Sequence, residues 1–317
     1  TNCDPATDQD FLVETTAVDP WGTIVASINA SAVLDLAGNP SAASTHTDNS
    51  VNYLPNAFLW TGAAVADDNW STGGNWSGGS APGNSDVATF DGTCTNCNAD
   101  IDVAIDIGGL DMQAGYTGTI TQLTGQTIDV GTDGWVQSAG SFIGGDSNIV
   151  IEQLGFFELA GGSFTSSSAN FEIKVGGDKV AFKQDAGASF SHNSGTVIFN
   201  QSGNAGATYN HDIDNDDSLI FNNLRFHSEN TNVGNENNIR VLDANLQVDG
   251  ELEFATTSGT AGTKFGTGQI DLYGNLILGD DAQPADGIIR FTGTGVQTYS
   301  RPSNGSGPII RIDKTGG

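Results

Sequence analysis

Three aspartates at alternate positions, Asp212, Asp214 and Asp216, are the most metal-like group of side chains in the sequence. Carboxylate oxygens at alternate positions also open the calcium-binding loop of an EF-hand. That loop needs glycine at its sixth position and a bidentate glutamate at its twelfth, where this chain has Asp217 and Asn223. The segment is therefore not an EF-hand. A looser calcium site in a turn and an ordinary solvated turn both remain open.

Two cysteines separated by two residues, Cys94 and Cys97, form the second candidate site. Such a pair can be a redox centre, half of a zinc site or a local disulfide. The nearest histidines, His46 and His192, are remote in sequence, and the surroundings are Gly-, Asn- and Asp-rich turns rather than a βαβ unit. We therefore expect a local disulfide. Cys3 is left over, and in a secreted protein it predicts a bond to another chain or partner.

Three tryptophans, Trp60, Trp70 and Trp76, form a third group. Aromatic faces bind carbohydrate, so these residues are candidates for a glycan-stacking surface. Alternatively, they cover the open first coil of the structure that follows, since an uncovered strand edge pairs with other chains. We expect the cap, and we keep the glycan surface as the alternative.

The tryptophans belong to a spaced motif in residues 56–93. It consists of Trp60-Thr61-Gly62, Asn69-Trp70-Ser71, Asn75-Trp76-Ser77-Gly78, Pro82 and Asp86. The motif resembles the Trp-rich module that opens repetitive β-rich passengers of secreted bacterial proteins. The resemblance implies that residues 56–93 introduce a repetitive β-structure.

No set of residues forms a recognisable catalytic constellation. A Ser-His-Asp site would need a Gly-x-Ser-x-Gly elbow, which the sequence lacks, and the chain has only four histidines. Glycosidases and lyases need carboxylates or a basic residue gathered on one face, whereas the acids here are spread through turns. Ice binding would need flat, regular Thr-x-Thr arrays, and residues 117–121 supply a single instance. We predict that the protein is not an enzyme.

Composition and charge exclude several kinds of partner. The chain has 317 residues with 38 acidic and 10 basic side chains, for a formal net charge of −28. Such a field repels nucleic acid and anionic membranes, and no run of apolar residues is long enough to insert into a membrane. The 43 glycines and many short polar residues favour turns over helices. We therefore expect an all-β protein that is soluble and acidic.

A short phrase recurs three times and predicts how the strands are arranged. Phe142, Phe164 and Phe190 each follow a small residue and precede an apolar strand, and the steps between them are 22 and 26 residues. Recurrence at that period indicates stacked units that bury their apolar faces against their neighbours. We predict a β-solenoid with coils of roughly 22–26 residues over residues 94–317.

Residues 1–55 differ from the rest. Residues 11–15 and 22–28 alternate apolar and polar positions, as strands do, and they precede an Ala-Gly-Asn turn and a final Asp-Asn-x-Val-x-Tyr segment at residues 48–53. This order resembles the closing half of the bacterial Ig-like repeats in large surface adhesins. The resemblance implies a partial β-sandwich that acts as a spacer. A complete sandwich needs more strands, so we expect either a processed precursor or strands donated by a neighbouring subunit.

Together these patterns predict a structural role. We expect a secreted, extracellular or cell-surface bacterial protein that forms a filament or stalk-like fibre from copies of itself, joined head to tail and assembling in part by strand complementation. No cofactor is required under this interpretation, apart from the possible calcium. The alternative is a carbohydrate-binding adhesin module that binds surface glycans. The expected assembly residues lie on the strands near both ends: Phe11, Val13, Ile24, Ile28, Ile310 and Ile312.

Overall fold

A computed structural model describes most of the chain. The described residues are 22–25, 30–31, 34, 37–40, 42, 50–53, 57–64, 67–177, 179–201, 209–229, 237–256, 263–280, 282–283, 286–301 and 307–314. The chain divides into two units, Thr1–Ala57 and Phe58–Gly317.

In the first unit the described residues contain one antiparallel pair of strands. Strand β1 (Gly22–Val25) pairs with β2 (Ser50–Tyr53), so that Ile24 lies opposite Val51. Both strands fall within segments that were predicted to be extended. Cys3, Phe11, Val13 and Ile28 lie outside the described residues, and the Ig-like sandwich stays a prediction.

The second unit is built from short strands and one 3-10 turn, Gly73–Asn75. Its first strands are β3 (Ala57–Leu59), β4 (Val87–Phe90), β5 (Ala99–Ile101), β6 (Ile105–Met112), β7 (Thr119–Gln122), β8 (Ile128–Gln137), β9 (Ser141–Ile143), β10 (Ile149–Ile151), β11 (Phe157–Leu159), β12 (Ser163–Thr165), β13 (Asn170–Val175), β14 (Lys179–Gln184), β15 (Ser189–Ser191) and β16 (Thr196–Gln201). They are followed by β17 (Tyr209–Asn215), β18 (Leu219–Phe221), β19 (Asn223–Ser228), β20 (Asn237–Asp243), β21 (Leu246–Val248), β22 (Leu252–Thr256), β23 (Thr263–Thr267), β24 (Gln269–Leu272), β25 (Leu276–Leu278), β26 (Ala282–Gln283), β27 (Ile288–Phe291), β28 (Tyr299–Ser300) and β29 (Ile309–Ile312).

These strands stack in parallel, turn upon turn, in a β-solenoid of about eight turns, which confirms the predicted all-β solenoid. Each complete turn contributes one strand to each of three faces, and an incomplete turn precedes and follows the complete ones. The first face contains β10, β13, β16, β19, β22, β25 and β28, and the second contains β4, β11, β14, β17, β20, β23 and β26. Strands β6 and β8 contribute to both. The third face contains β5, β7, β9, β12 and β15, followed by β18, β21, β24, β27 and β29.

The length of a turn varies because the loops differ while the strands stay in register. On the first face, Ile128 pairs with Ile149 and Leu224 pairs with Leu252, so one turn takes between 21 and 28 residues. The parallel stacking also begins earlier than residue 94. Strand β4, in the Trp-rich segment, already pairs with β6.

The core runs between the three faces, because alternate residues of each strand point inward. The three phenylalanines of the repeated phrase stack on one another along the third face. Ring centroids of Phe142 and Phe164 are 4.9 Å apart, and those of Phe164 and Phe190 are 5.7 Å apart. The glycines that precede two of these strands, Gly140 and Gly162, have φ of 71° and 75°, a conformation that favours glycine at the corner.

Candidate functional site

The three tryptophans lie inside the first turn of the second unit. Trp60 and Trp70 are 1% exposed and Trp76 is 3% exposed. The centroid of Trp76 lies 5.1 Å from that of Trp60 and 4.7 Å from that of Trp70, and all three rings contact Phe90 on β4. The alternative role of these residues, a glycan-stacking surface, does not fit this placement, because none of the three rings presents a face to solvent. Their position against Phe90 is that of a cover on the first parallel strand.

A buried asparagine holds this cover in place. Asn75, fully buried at the end of the 3-10 turn, donates hydrogen bonds from Nδ2 to the carbonyl oxygens of Asp67 and Asn69, at 3.2 and 3.1 Å. Its Oδ1 accepts a hydrogen bond from the Ala64 amide at 3.0 Å. One side chain thus satisfies three backbone groups of the segment, as buried polar groups require. The indole of Trp76 is fixed similarly, by donation from its Nε1 to the Trp70 carbonyl at 2.8 Å.

Cys94 and Cys97 are joined by a disulfide, with their Cα atoms 5.2 Å apart. Of the three alternatives, the structure has the local crosslink. Both residues pack against the core of the first turns, and the hydroxyl of Tyr116 donates a hydrogen bond to the Cys97 carbonyl. The disulfide therefore closes a short loop beside the tryptophan cover.

The aspartates of the candidate calcium site lie along a strand and its end, rather than around a loop. Asp212 is on β17 and forms a bidentate pair with Arg240 of β20, at 2.6 and 2.7 Å. Asp216 follows the strand and accepts a hydrogen bond from the Ala186 amide at 3.4 Å. Among the described residues no three His, Cys, Asp or Glu side chains form a group that could hold a metal ion. Asp212 thus already has a positively charged partner within the protein, the guanidinium of Arg240. Calcium binding at this segment stays a prediction.

The last strand carries two of the predicted assembly residues. Strand β29 pairs with β27 on one side, and within the described part of the chain no strand pairs with its other side. Ile312 is 77% exposed and Ile309 is 46% exposed, whereas Ile310 packs partly against the core. A cavity of about 180 Å³ opens here. Its lining comprises Phe291, Gln297, Tyr299, Ile310, Ile312 and Lys314.

Charge is distributed unevenly along the stack, a feature that the sequence interpretation missed. All ten basic residues lie at or after Lys174, whereas 14 acidic residues lie between residue 58, where the second unit begins, and Lys174. Because successive turns stack in chain order, this imbalance becomes a difference between the first and last turns. From residue 286 onward the chain has four basic and two acidic residues. The signal was present in the sequence as the positions of Lys and Arg.

Within the stack most basic side chains bridge neighbouring turns. Lys174 contacts Glu152 at 2.8 Å, Arg225 contacts Glu253 at 3.1 Å, and other pairs repeat the pattern. The turns of the second unit before Glu152 contain acidic residues and no basic ones. Burial raises the pKa of Asp129 above its usual range, the neighbouring charges of Glu152 and Asp106 raise it further, and Lys174 on β13 lowers it. Negative charge therefore predominates in the first turns.

Comparison with protein-family models, with curated proteins and with solved structures gives no match for this chain. The class of protein is defined by the fold alone, an all-β protein with a parallel β-solenoid. In the described part of the chain no helix is long and apolar enough to cross a membrane.

Proposed function

We propose that this protein is a structural subunit of an extracellular bacterial filament or stalk-like fibre, assembled head to tail from copies of itself. The observation that carries the proposal is the charge difference along the stacked turns. The turns before Lys174 have acidic residues and no basic ones, and the turns from residue 286 onward have a basic excess. The acidic first turns of one subunit attract the basic last turns of another, whereas two ends of the same charge repel. Subunits that associate in this way all point in the same direction.

Electrostatic complementarity sets orientation and association rate more than affinity. The contacts between subunits also need apolar surface, and the last turn supplies it. Ile309, Ile312 and Tyr299 are exposed beside the side of β29 that pairs with no other described strand. An open strand edge of this kind pairs with a strand from another chain. Residues 11–15, with their alternating pattern, are the strand that we propose for this complementation.

The location outside the cell is supported by the disulfide between Cys94 and Cys97, since such bonds form and persist in oxidising compartments. The high acid content favours solubility there. The alternative of a glycan-binding module depended on surface tryptophans, and Trp60, Trp70 and Trp76 are buried. No specific feature of the described residues favours that alternative.

Electron microscopy and light scattering of the purified protein test the proposal. We expect filaments with an axial repeat near the length of one subunit. We expect fewer filaments as salt rises, because salt at physiological ionic strength already screens the attraction between exposed charges that are more than about 8 Å apart. Arg311→Glu should reduce assembly, whereas the matched Arg311→Lys, which keeps the charge, should not. A protein that stays monomeric at every concentration, or equal assembly of the two variants, would contradict the proposal.

A further inference from the structure

One part of the third face has an unusual surface. The outward side chains of four successive strands, β7, β9, β12 and β15, comprise seven hydroxyl residues and one isoleucine, with no charge. This neutrality is notable in a chain with a net charge of −28. We call this surface the hydroxyl face. Its outward residues are Thr119, Thr121, Ser141, Ile143, Ser163, Thr165, Ser189 and Ser191.

The hydroxyl face is a two-dimensional lattice, because the strands are in register. One column runs through Thr119, Ser141, Ser163 and Ser189, and the second runs through Thr121, Ile143, Thr165 and Ser191. Neighbouring strands are spaced by about 4.8 Å, and outward residues two apart on a strand by roughly 6.6 Å. In the sequence, residues 117–121 look like an isolated Thr-x-Thr instance. Stacking joins them to three Ser-Phe-x strands.

The layer beneath the hydroxyl face keeps it regular. Phe142, Phe164 and Phe190 lie directly under the lattice, and their rings stack with interplanar angles of only 19° and 11°. The same side chain therefore occupies the same inward position on three successive strands, in a similar orientation. The outward residues above this layer repeat in the same register.

We propose that the hydroxyl face binds the surface of ice. A Ser or Thr hydroxyl can both donate and accept hydrogen bonds, as the water molecules of ice do. An array that repeats in two directions and carries no charge is complementary to a neutral, periodic layer of water molecules. The strands hold the side chains in place beforehand, so little conformational entropy is lost on binding. This activity is independent of the proposed assembly, which uses the ends of the stack.

The same features disfavour other occupants of the hydroxyl face. Flat sugar rings pack on exposed aromatic faces, whereas Phe142 and Phe164 point inward and are buried. A charged ligand would find no counter-charge among the eight outward residues. A folded protein partner would need a larger apolar area than Ile143, which is 47% exposed, supplies. The occupant that remains is a neutral, periodic layer of water molecules, such as the surface of ice.

The test is partition of the full chain between slowly growing ice and the remaining liquid. The labelled protein should be enriched in the ice relative to an inert carrier protein of similar charge. Thr165→Lys, at the centre of the lattice, should lower the enrichment on the order of tenfold. The matched control is Gln247→Lys, at the central outward position of β21 on the charged part of the same face, and it should leave the enrichment unchanged. Circular dichroism verifies that both variants fold.

Three results would overturn the proposal. The first is wild-type protein that partitions like the inert carrier. The second is an equal loss in Thr165→Lys and Gln247→Lys. The third is binding of similar strength to crystalline cellulose or chitin that also depends on Thr165, which would make the surface a polysaccharide site. Should Thr165→Lys fail to fold, Ser191→Lys at the exposed β15 rung replaces it, with the same expected loss.

Discussion

Ser163 donates a hydrogen bond from its Oγ to the Oγ of Ser141 at 2.9 Å, although 22 residues separate them in the chain. The two serines occupy equivalent positions on neighbouring strands β12 and β9. A contact between identical positions on successive turns is the basic relationship of this fold. Stability, charge and surface chemistry all follow from which residue each turn places at a given position.

The stacked aromatic layer should dominate the stability of the solenoid. Phe164 is fully buried between Phe142 and Phe190. We expect Phe164→Ala to lower the free energy of unfolding by about 3 to 5 kcal/mol, because it leaves a cavity in a close-packed column. Thr165→Ala, one residue away and pointing outward, should cost within about 0.5 kcal/mol. Urea unfolding followed by circular dichroism measures both, and equal losses would refute the role of the layer.

The disulfide should stabilise the first turns modestly. Cys94 and Cys97 close a very short loop, so replacing both by serine should cost about 2 kcal/mol in the chain-entropy account. Under oxidising conditions the double variant should have a lower Tm than wild type. Under reducing conditions, which also break the wild-type disulfide, the two proteins should have the same Tm. Cys3→Ser is the control. It should leave the Tm unchanged while removing any disulfide-linked dimer on a non-reducing gel.

Low pH should remove an electrostatic cost of folding at Asp129. Burial, then the charges of Glu152 and Asp106, raise the pKa of Asp129 in the folded chain. A raised folded pKa means that the ionised carboxylate destabilises the fold. This cost is fully present above the folded pKa, and it disappears as the pH falls below the unfolded value of about 3.9.

Asp129→Asn should therefore raise the Tm at neutral pH and leave it unchanged near about pH 3. Thermal melts across this range measure the difference between the variant and wild type. Asp133→Asn, at an exposed position of the same strand, controls for the general loss of one negative charge. A gain for Asp129→Asn that persists unchanged in acid, or equal gains for both variants, would exclude the local cause.

The ion pair between Asp212 and Arg240 should act without calcium. Asp212 is largely buried and its two oxygens accept hydrogen bonds from the guanidinium at 2.6 and 2.7 Å. Asp212→Asn should cost about 1 to 2 kcal/mol, a partly buried pair lying between the surface and interior cases. The loss in Tm should be the same with added calcium and with a chelator. A loss seen only with calcium would instead support the predicted metal site, and Asp216→Asn provides the comparison.

Local patterns were enough to predict the kind of fold. The recurrence of Phe142, Phe164 and Phe190 predicts stacked turns. The alternation of Ile101, Val103, Ile105 and Ile107 predicts one extended strand, but the chain bends between β5 and β6, and Val103 is 40% exposed there. Ile101, Ile105 and Ile107 do face the core, because alternation along a strand is a property of neighbouring residues in the chain. The predicted solenoid is confirmed for this reason. The disulfide partners were also within reach, because a separation of three residues leaves little choice.

The sites themselves depended on the tertiary structure. Spacing alone could not tell whether Trp60, Trp70 and Trp76 face outward or cover Phe90, since burial depends on the packing of distant segments. The sequence did not show that Arg240 of β20 lies against Asp212, because the two residues are 28 positions apart.

The hydroxyl face shows the division between sequence and structure most clearly. Thr121, Ile143 and Thr165 follow one another at steps of 22 residues, but Ser191 follows after 26, so no single period in the sequence aligns the whole column. The sequence by itself determined the strands, their inward residues and the acidic character of the chain. Only the register between turns, set by hydrogen bonding across strands that are distant in sequence, decided which outward residues share a surface.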